Sequence, residues 1–206
     1  MKVLPASGHS PSIAQPDDIA GDSELVGRCR GGDAIAWRAL YEAHFDFVYR
    51  ISRRLGVPEA ELDDVVQETF LVAFRRLDQF ESGRFSTWLF RIASNVASGR
   101  HRRRRVREAF ASLFGSDPEE PAVRGPDLDF EAREAKEHVG RVLSRMAPKK
   151  REVFALFELE GLSGDEVAER VGCKVDTVWT RLHYARKDFE RIARKQGVLA
   201  VTERTS

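Results

Sequence analysis

Between Leu162 and Ile192 two apolar repeats flank one glycine, and that pattern fits two helices joined by a tight turn better than any other fold element. Ser163 and Glu166 have capping-box spacing. The serine hydroxyl takes one free backbone N–H of a first helical turn and the glutamate returns to another, so a helix is predicted to start there. Val167, Ala168 and Val171 form its expected buried face. Gly172 supplies the left-handed backbone that a tight helix end needs. Val175, Val178, Leu182, Ala185, Phe189 and Ile192 then recur at steps of three and four, which predicts a second helix with one narrow apolar stripe. Outside the stripe stand Thr177, Trp179, Thr180, Arg181, His183, Tyr184, Arg186 and Lys187: hydroxyls, rings and cations without a carboxylate. Such a face suits an acidic, hydrogen-bonding groove.

Lys174 to Lys195 holds seven Lys or Arg against three Asp or Glu, although the formal net charge of the whole chain is only +1. Positive charge is therefore sorted onto particular elements. A basic second helix after a tight turn is the usual recognition helix for the DNA major groove, with exposed residues at base edges and flanks at phosphates. The competing reading is a helical hairpin with a solvated cationic face.

The 206 residues allow one large or two small domains, and the pattern along the chain favours two. Residues 1–21 are rich in Pro, Ser, Ala and Gly without a period and are expected to form a disordered tail. A short amphipathic segment with Leu25 and Val26 follows, then a helix from about Asp33 to Leu55, closed by Gly56. Ala36, Leu40, Phe47 or Val48 and Ile51 give that helix its apolar face, widened by Trp37, Tyr41 and Phe45. Pro58 opens a third helix, whose stripe runs Leu62, Val65, Val66, Thr69, Phe70, Ala73, Phe74 and Leu77. Its other side carries Asp63, Asp64, Gln67 and Glu68. A helix from about Ser86, with Trp88, Leu89, Ile92, Ala93 and Val96 on one side, then turns basic: Arg100 to Arg107 holds six arginines in eight positions. That density is costly self-repulsion unless a polyanion is near, most simply DNA. Phe80, Phe85 and Trp88 lie just upstream, and aromatics interleaved with cations favour unpaired bases, although each ring singly also reads as core.

Residues 111–130 contain three prolines, excess acid and no apolar period, and are predicted to be a flexible linker, mobile from Asp117 to Asp129 and letting the domains tumble with partial independence. The two domains are then expected at 22–110 and 131–196, with a second tail at 197–206. In the second, Val139, Val142, Leu143 and Met146 share a face, and Pro148 starts a helix with Val153, Phe154, Leu156 and Phe157 that Gly161 ends. The expected fold class is all-α: two small helical domains, the second ending in a helix-turn-helix. Hydrophobic content of 42% includes no run near the roughly 20 residues that span a bilayer, and the N-terminus lacks a secretory signal, which predicts a cytoplasmic protein. Cys29 and Cys173, without paired Cys or His spacing, read as small packed residues and not as a zinc site or disulfide. No cofactor or metal is expected.

Several longer motifs now stand in a definite order: Asp63 to Phe70 (DDVVQETF), Phe85 to Asn95 (FSTWLFRIASN), Lys150 to Ser163 (KREVF to GLS) and Thr177 to Arg186 (TVWTRLHYAR). Together they resemble the extracytoplasmic-function class of bacterial RNA polymerase sigma factors. The resemblance implies that the first domain binds the clamp coiled coil of the polymerase largest subunit through a surface holding Asp63, Asp64, Gln67 and Glu68. It implies that the loop Phe80, Glu81, Ser82, Gly83, Arg84 and Phe85, with Trp88 and Asn95, captures a base flipped from the non-template strand as the minus-ten element opens. Arg102, Arg103 and Arg104 would serve the same DNA. The flipped base has physical sense: leaving the duplex costs a few kcal/mol, which a stacking surface and backbone groups offset.

The second domain, by the same resemblance, packs on the flap of the second-largest subunit and reads the minus-thirty-five element. Trp179, Thr180, His183, Tyr184 and Arg186 match the family's DNA-facing set, with Arg181 and Lys187 beside them. Many relatives carry a cation where Trp179 and Tyr184 stand, which shifts the expected readout here toward methyl contacts or DNA shape. The resemblance also admits an anti-sigma protein as a partner, implies no small-molecule substrate, and leaves nucleotide addition to the polymerase. The rival from another class is a helix-turn-helix activator or repressor, which accounts for Leu162 to Ile192 and nothing before it. An enzyme built on Asp63, Asp64 and His44 lacks both metal-ligand spacing and a phosphate loop.

Overall fold

A computed structural model of the chain describes residues 19–113 and 130–197, and side chains from 21 to 111 and from 134 to 197. Every regular element among the described residues is helical: α1 (Ile19–Arg30), α2 (Ala34–Arg54), α3 (Glu59–Arg75), a 3-10 turn (Leu77–Gln79), α4 (Phe85–Leu113), α5 (Phe130–Arg145), α6 (Pro148–Phe154) continuing into a π-helical turn (Ala155–Leu159), α7 (Gly164–Val171) and α8 (Val175–Lys195). The protein is all-α, with two helical domains, α1–α4 and α5–α8. The first helix starts at Ile19, inside the stretch expected to be a tail, and α4 runs on to Leu113, past the expected linker boundary. The expected mobile stretch Asp117 to Asp129 lies outside the described residues, as do residues 1–18 and 198–206. No helix among the described residues is long and apolar enough to cross a membrane.

Local chemistry sets the helix ends. The Asp33 carboxylate accepts from the Ile35 and Ala36 N–H groups and so caps α2, while Gly56, at φ 78°, turns the chain left-handed after it. Leu40, Ile51, Leu62, Val65, Phe85 and Leu89 are fully buried where α2, α3 and α4 meet. Two polar groups that an apolar count misses join them. His44 is enclosed beside Phe85 and bonds Asp22 of α1 at 2.9 Å, which ties α1 to the bundle. Arg30, at the end of α1, donates to the carbonyls of Leu77 and Phe80 and thereby fixes the start of the loop between α3 and α4.

One hydrophobic cluster runs from the first domain into the second, joining Ile51, Leu89 and Ala93 to Val153, Leu156, Val167 and Leu182, a packing that restrains the partial independence expected of the domains. Its rim is polar. Arg50 and Arg54 both meet Glu160 at 3.1 and 3.0 Å, Ser94 donates to Glu152 at 2.5 Å, and Arg91 donates to the Arg170 carbonyl at 3.4 Å. Beneath the rim, Arg151 is fully buried and, among the described residues, forms no ion pair within 4 Å: it donates to Ser98 Oγ at 2.7 Å and weakly to the Leu143 carbonyl at 3.5 Å, and its Nε finds no hydrogen-bond partner there. Burial pushes its guanidinium down to about 10.

His101 closes this seam from α4, with Nε2 3.0 Å from the Leu55 carbonyl, so the neutral ring donates there. Burial, reinforced by Arg151, Arg104 and Arg105, pushes the imidazole down to about 3 from 6.5. Between those values the unfolded chain holds a proton that the folded chain refuses. Stability is therefore expected to fall as pH drops from about 6.5 toward 3, by at most about 1.4 kcal/mol per pH unit, with no further loss from this group below 3. Thermal denaturation from pH 7 to 4.5 checks this: His101→Gln should flatten that limb, and an unchanged slope would place the acid sensitivity elsewhere.

Candidate nucleic-acid interface

The helix-turn-helix forms as its local signals require. Ser163 Oγ accepts from the Glu166 N–H at 3.3 Å and the Glu166 carboxylate accepts from the Ser163 N–H at 2.8 Å, completing the capping box; the Ser163 hydroxyl, donating at 2.7 Å, and that N–H hold the carboxyl below its usual range. Gly172 adopts φ 69° at the turn. The π-helical turn before it, with Glu160 N–H reaching back to the Ala155 carbonyl at 3.0 Å, aims successive side chains at different neighbours. Phe157 and Glu158 meet α8, whereas Glu160 reaches α2.

On α8 the apolar stripe faces inward, with Val178, Leu182 and Ala185 fully buried. Trp179, Thr180, His183, Tyr184, Arg186 and Lys187 are exposed and Arg181 is half-buried. Several of these are nevertheless engaged within the chain. Arg186 is held by Glu158 at 2.6 Å, and Lys150 sits over the Tyr184 ring at 5.6 Å while it pairs with Asp188 at 2.7 Å. Thr180 Oγ1 donates to the Asp176 carbonyl at 3.0 Å.

The loop between α3 and α4 divides in two. Glu81, Ser82 and Gly83 are exposed, with Gly83 at φ 94°. Phe80 and Phe85 are buried, edge to face at 5.4 Å, and Trp88 is half-buried against both. Phe80 and Phe85, the rings expected to meet bases, are enclosed here and anchor the loop in the bundle, Phe85 against His44 of α2. Asn95 is exposed on α4, and Arg84 lies 4.0 Å from Glu169 of α7, so the loop stands beside the helix-turn-helix.

The basic run also splits, at helical spacing. Arg100 and Arg104, one turn apart, turn back onto α3, whereas Arg102 and Arg103 face solvent. Arg100 clasps Glu68 at 2.8 Å and Asp64 at 3.5 Å, which raises its own pKa. Arg104 lies 4.0 Å from Glu61 and 3.8 Å from Glu108. Arg104, expected at phosphate, thus stands among acids in the free chain. On α3, Asp63, Asp64 and Gln67 are exposed and Glu68 is half-buried under Arg100. The sequence carried no sign of that clasp, since α3 and α4 pair only in the folded bundle. His44 is enclosed and bonded to Asp22 of α1, whereas Asp63 and Asp64 are exposed on α3.

Residues 40–107 match the sequence family described as Sigma-70 region 2, and residues 136–189 match Sigma-70, region 4. The chain is 35% identical to the RNA polymerase sigma factor NccH of Alcaligenes xylosoxydans xylosoxydans over 187 residues, covering 88% of this chain and 99% of that protein. To the ECF RNA polymerase sigma-E factor of Escherichia coli it is 34% identical over 177 residues, covering 82% and 92%. Among solved structures, CnrH in complex with the cytosolic domain of CnrY superposes with a TM-score of 0.56 at 27% identity, covering 85% of this chain and 98% of that one.

Proposed function

The chain belongs to the extracytoplasmic-function class of the sigma-70 family, and from that premise we propose how its surfaces divide the work of promoter recognition. A protein of this family directs RNA polymerase to promoters through regions 2 and 4 and catalyses nothing itself. Asp63, Asp64 and Gln67, outward on α3, bind the clamp coiled coil of the polymerase, and the second domain docks on the flap. Glu81 to Arg84 with Asn95 hold the unpaired minus-ten strand, using backbone groups and the half-buried Trp88 that Phe80 and Phe85 support. Arg102 and Arg103 neutralise phosphate, and the outer face of α8 reads the minus-thirty-five duplex in the cytoplasm. The observation that carries this division is the unlike chemistry of the outward residues on each element: acids on α3, a polar loop and then arginines along α4, and hydroxyls, rings and cations on the outer face of α8. By analogy with CnrH, solved with the cytosolic domain of CnrY, the closed chain is also proposed to bind an anti-sigma protein.

The closed packing must then open. The two promoter elements lie about 25 base pairs apart, roughly 85 Å at 3.4 Å per step, whereas Arg84 of the loop is 4.0 Å from Glu169 of the helix-turn-helix. No chain in this arrangement reaches both. Polymerase and promoter binding supply the energy that parts the domains.

Unlike surfaces fail differently when altered, which gives the test. Asp63→Lys with Gln67→Lys should weaken assembly with core polymerase at least ten-fold and leave helix content unchanged. Arg102→Ala with Arg103→Ala should weaken all promoters alike and flatten the salt dependence by roughly 0.7–0.9 in slope per lost contact. Changes at Glu81 to Gly83 should alter which minus-ten sequences open. Assembly at wild-type affinity by the α3 variant, or loop variants that weaken every promoter equally, would remove the corresponding assignment.

A further inference from the structure

Gly164 stands at the first residue of α7, where its backbone is ordinary and nothing in the turn requires glycine. Glycine in a helix is less stable than alanine by up to about 1 kcal/mol. The neighbouring ring explains the choice. A Cβ on Gly164 would lie 2.7 Å from Cζ2 of Trp179 and 3.2 Å from its Cη2, so the indole rests directly on the bare backbone. On its other side the ring meets Phe157 edge to face, with centroids 5.4 Å apart at 76°. Trp179 is held between two elements and still 47% exposed. The clamped ring has little rotamer freedom left to lose on binding.

Its surroundings narrow what it can read. Arg186, the next outward cation along α8, is tied to Glu158 at 2.6 Å, and Thr180 spends its hydroxyl on the Asp176 carbonyl, which leaves its methyl group as the part free to contact a ligand. Tyr184 adds a second ring, 52% exposed. An apolar ridge along a recognition helix has one distinctive partner in the major groove: the 5-methyl group of thymine. Resting on the assignment of α8 to the minus-thirty-five duplex, we propose that Trp179 is a specificity-determining residue that reads thymine through its methyl group, and that Gly164 is the residue that positions it.

The test uses full-length chain assembled with core polymerase, and a minus-thirty-five duplex selected from randomised DNA. Each thymine is replaced singly by deoxyuridine, which removes the methyl and nothing else. Wild-type holoenzyme should lose about four-fold in affinity at one or two thymines, the value of one buried methyl-sized group. Trp179→Ala should bind thymine and uracil duplexes equally at those positions, and Gly164→Ala, which forces the ring aside, should shrink the ratio with helix content unchanged. If Trp179→Ala binds no duplex, the ratio is read on Gly164→Ala alone. A selected element without thymine, equal binding of thymine and uracil by wild type, or a full ratio in the variant that is read overturns the proposal. Failure of wild type to prefer the selected duplex over a scrambled one overturns instead the assignment of α8, and this inference with it.

Discussion

Gly56→Ala is expected to part the two domains. Gly56 sits at φ 78°, and a Cβ there would stand 2.7 Å from the Gly140 carbonyl and 2.9 Å from Leu143 Cβ and the Ser144 nitrogen. These are mostly backbone atoms of α5 that no rotamer change can move. The left-handed backbone costs an alanine about 1–2 kcal/mol. Overpacking adds about 1–3 kcal/mol unless α5 withdraws. Withdrawal pulls α5 off the first domain and loosens the seam, so the radius of gyration should rise and the midpoint of thermal unfolding should drop by about 5–15 °C. Gly32→Ala separates the two causes: φ is 86° there and its Cβ would meet nothing within 4 Å. That variant should show the backbone penalty and keep the compact radius. Equal compactness in both variants would mean that α5 does not depend on Gly56.

Arg151→Met is expected to do the opposite. A guanidinium that has, among the described residues, one good hydrogen bond, a weak second one, an unpartnered Nε and no ion pair is an expensive group to bury. Methionine fills similar volume, and of the two groups left behind the Leu143 carbonyl already accepts from the Met146 N–H at 3.1 Å while the Ser98 hydroxyl is only half-buried. Replacing buried charge by a well-packed apolar side chain often stabilises by about 1–4 kcal/mol. The midpoint of unfolding should rise by several degrees. Because the same contacts must break before polymerase and promoter are engaged, assembly should slow roughly in proportion, about ten-fold per 1.4 kcal/mol. A variant that is stabilised yet assembles at the wild-type rate would show that the seam does not resist opening.

How much of this was legible in the sequence follows from the distance over which each feature is determined. The capping box of Ser163 and Glu166, the left-handed Gly172, the stripe of α8 and the stop at Gly56 are set by neighbours within one or two turns, and all were readable. The acids of α3 and the outward residues of α8 followed from helical period. What could not be read depends on pairs far apart in the chain. Arg100 meets Glu68 across 32 residues, Arg54 meets Glu160 across 106, and the seat of Trp179 on Gly164 needs the turn of the motif to bring them together. Phe80 and Phe85 were ambiguous for a related reason. An aromatic beside cations has the same local pattern whether it stacks a base or fills a core, and only α2 packed behind α4 decides.

The claim on which the functional reading turns is that a chain closed through one core must open to reach both promoter elements. Paired spin labels at Glu108 of α4 and Arg145 of α5, whose side chains lie 3.7 Å apart across the two domains, in a chain with Cys29 and Cys173 replaced by alanine, measure this directly. The expected result is a short, narrow distance distribution in the free chain that lengthens by tens of ångströms with core polymerase and promoter DNA. A distance that stays the same in all three states would contradict the reading of the shared core as a closed state that promoter recognition undoes.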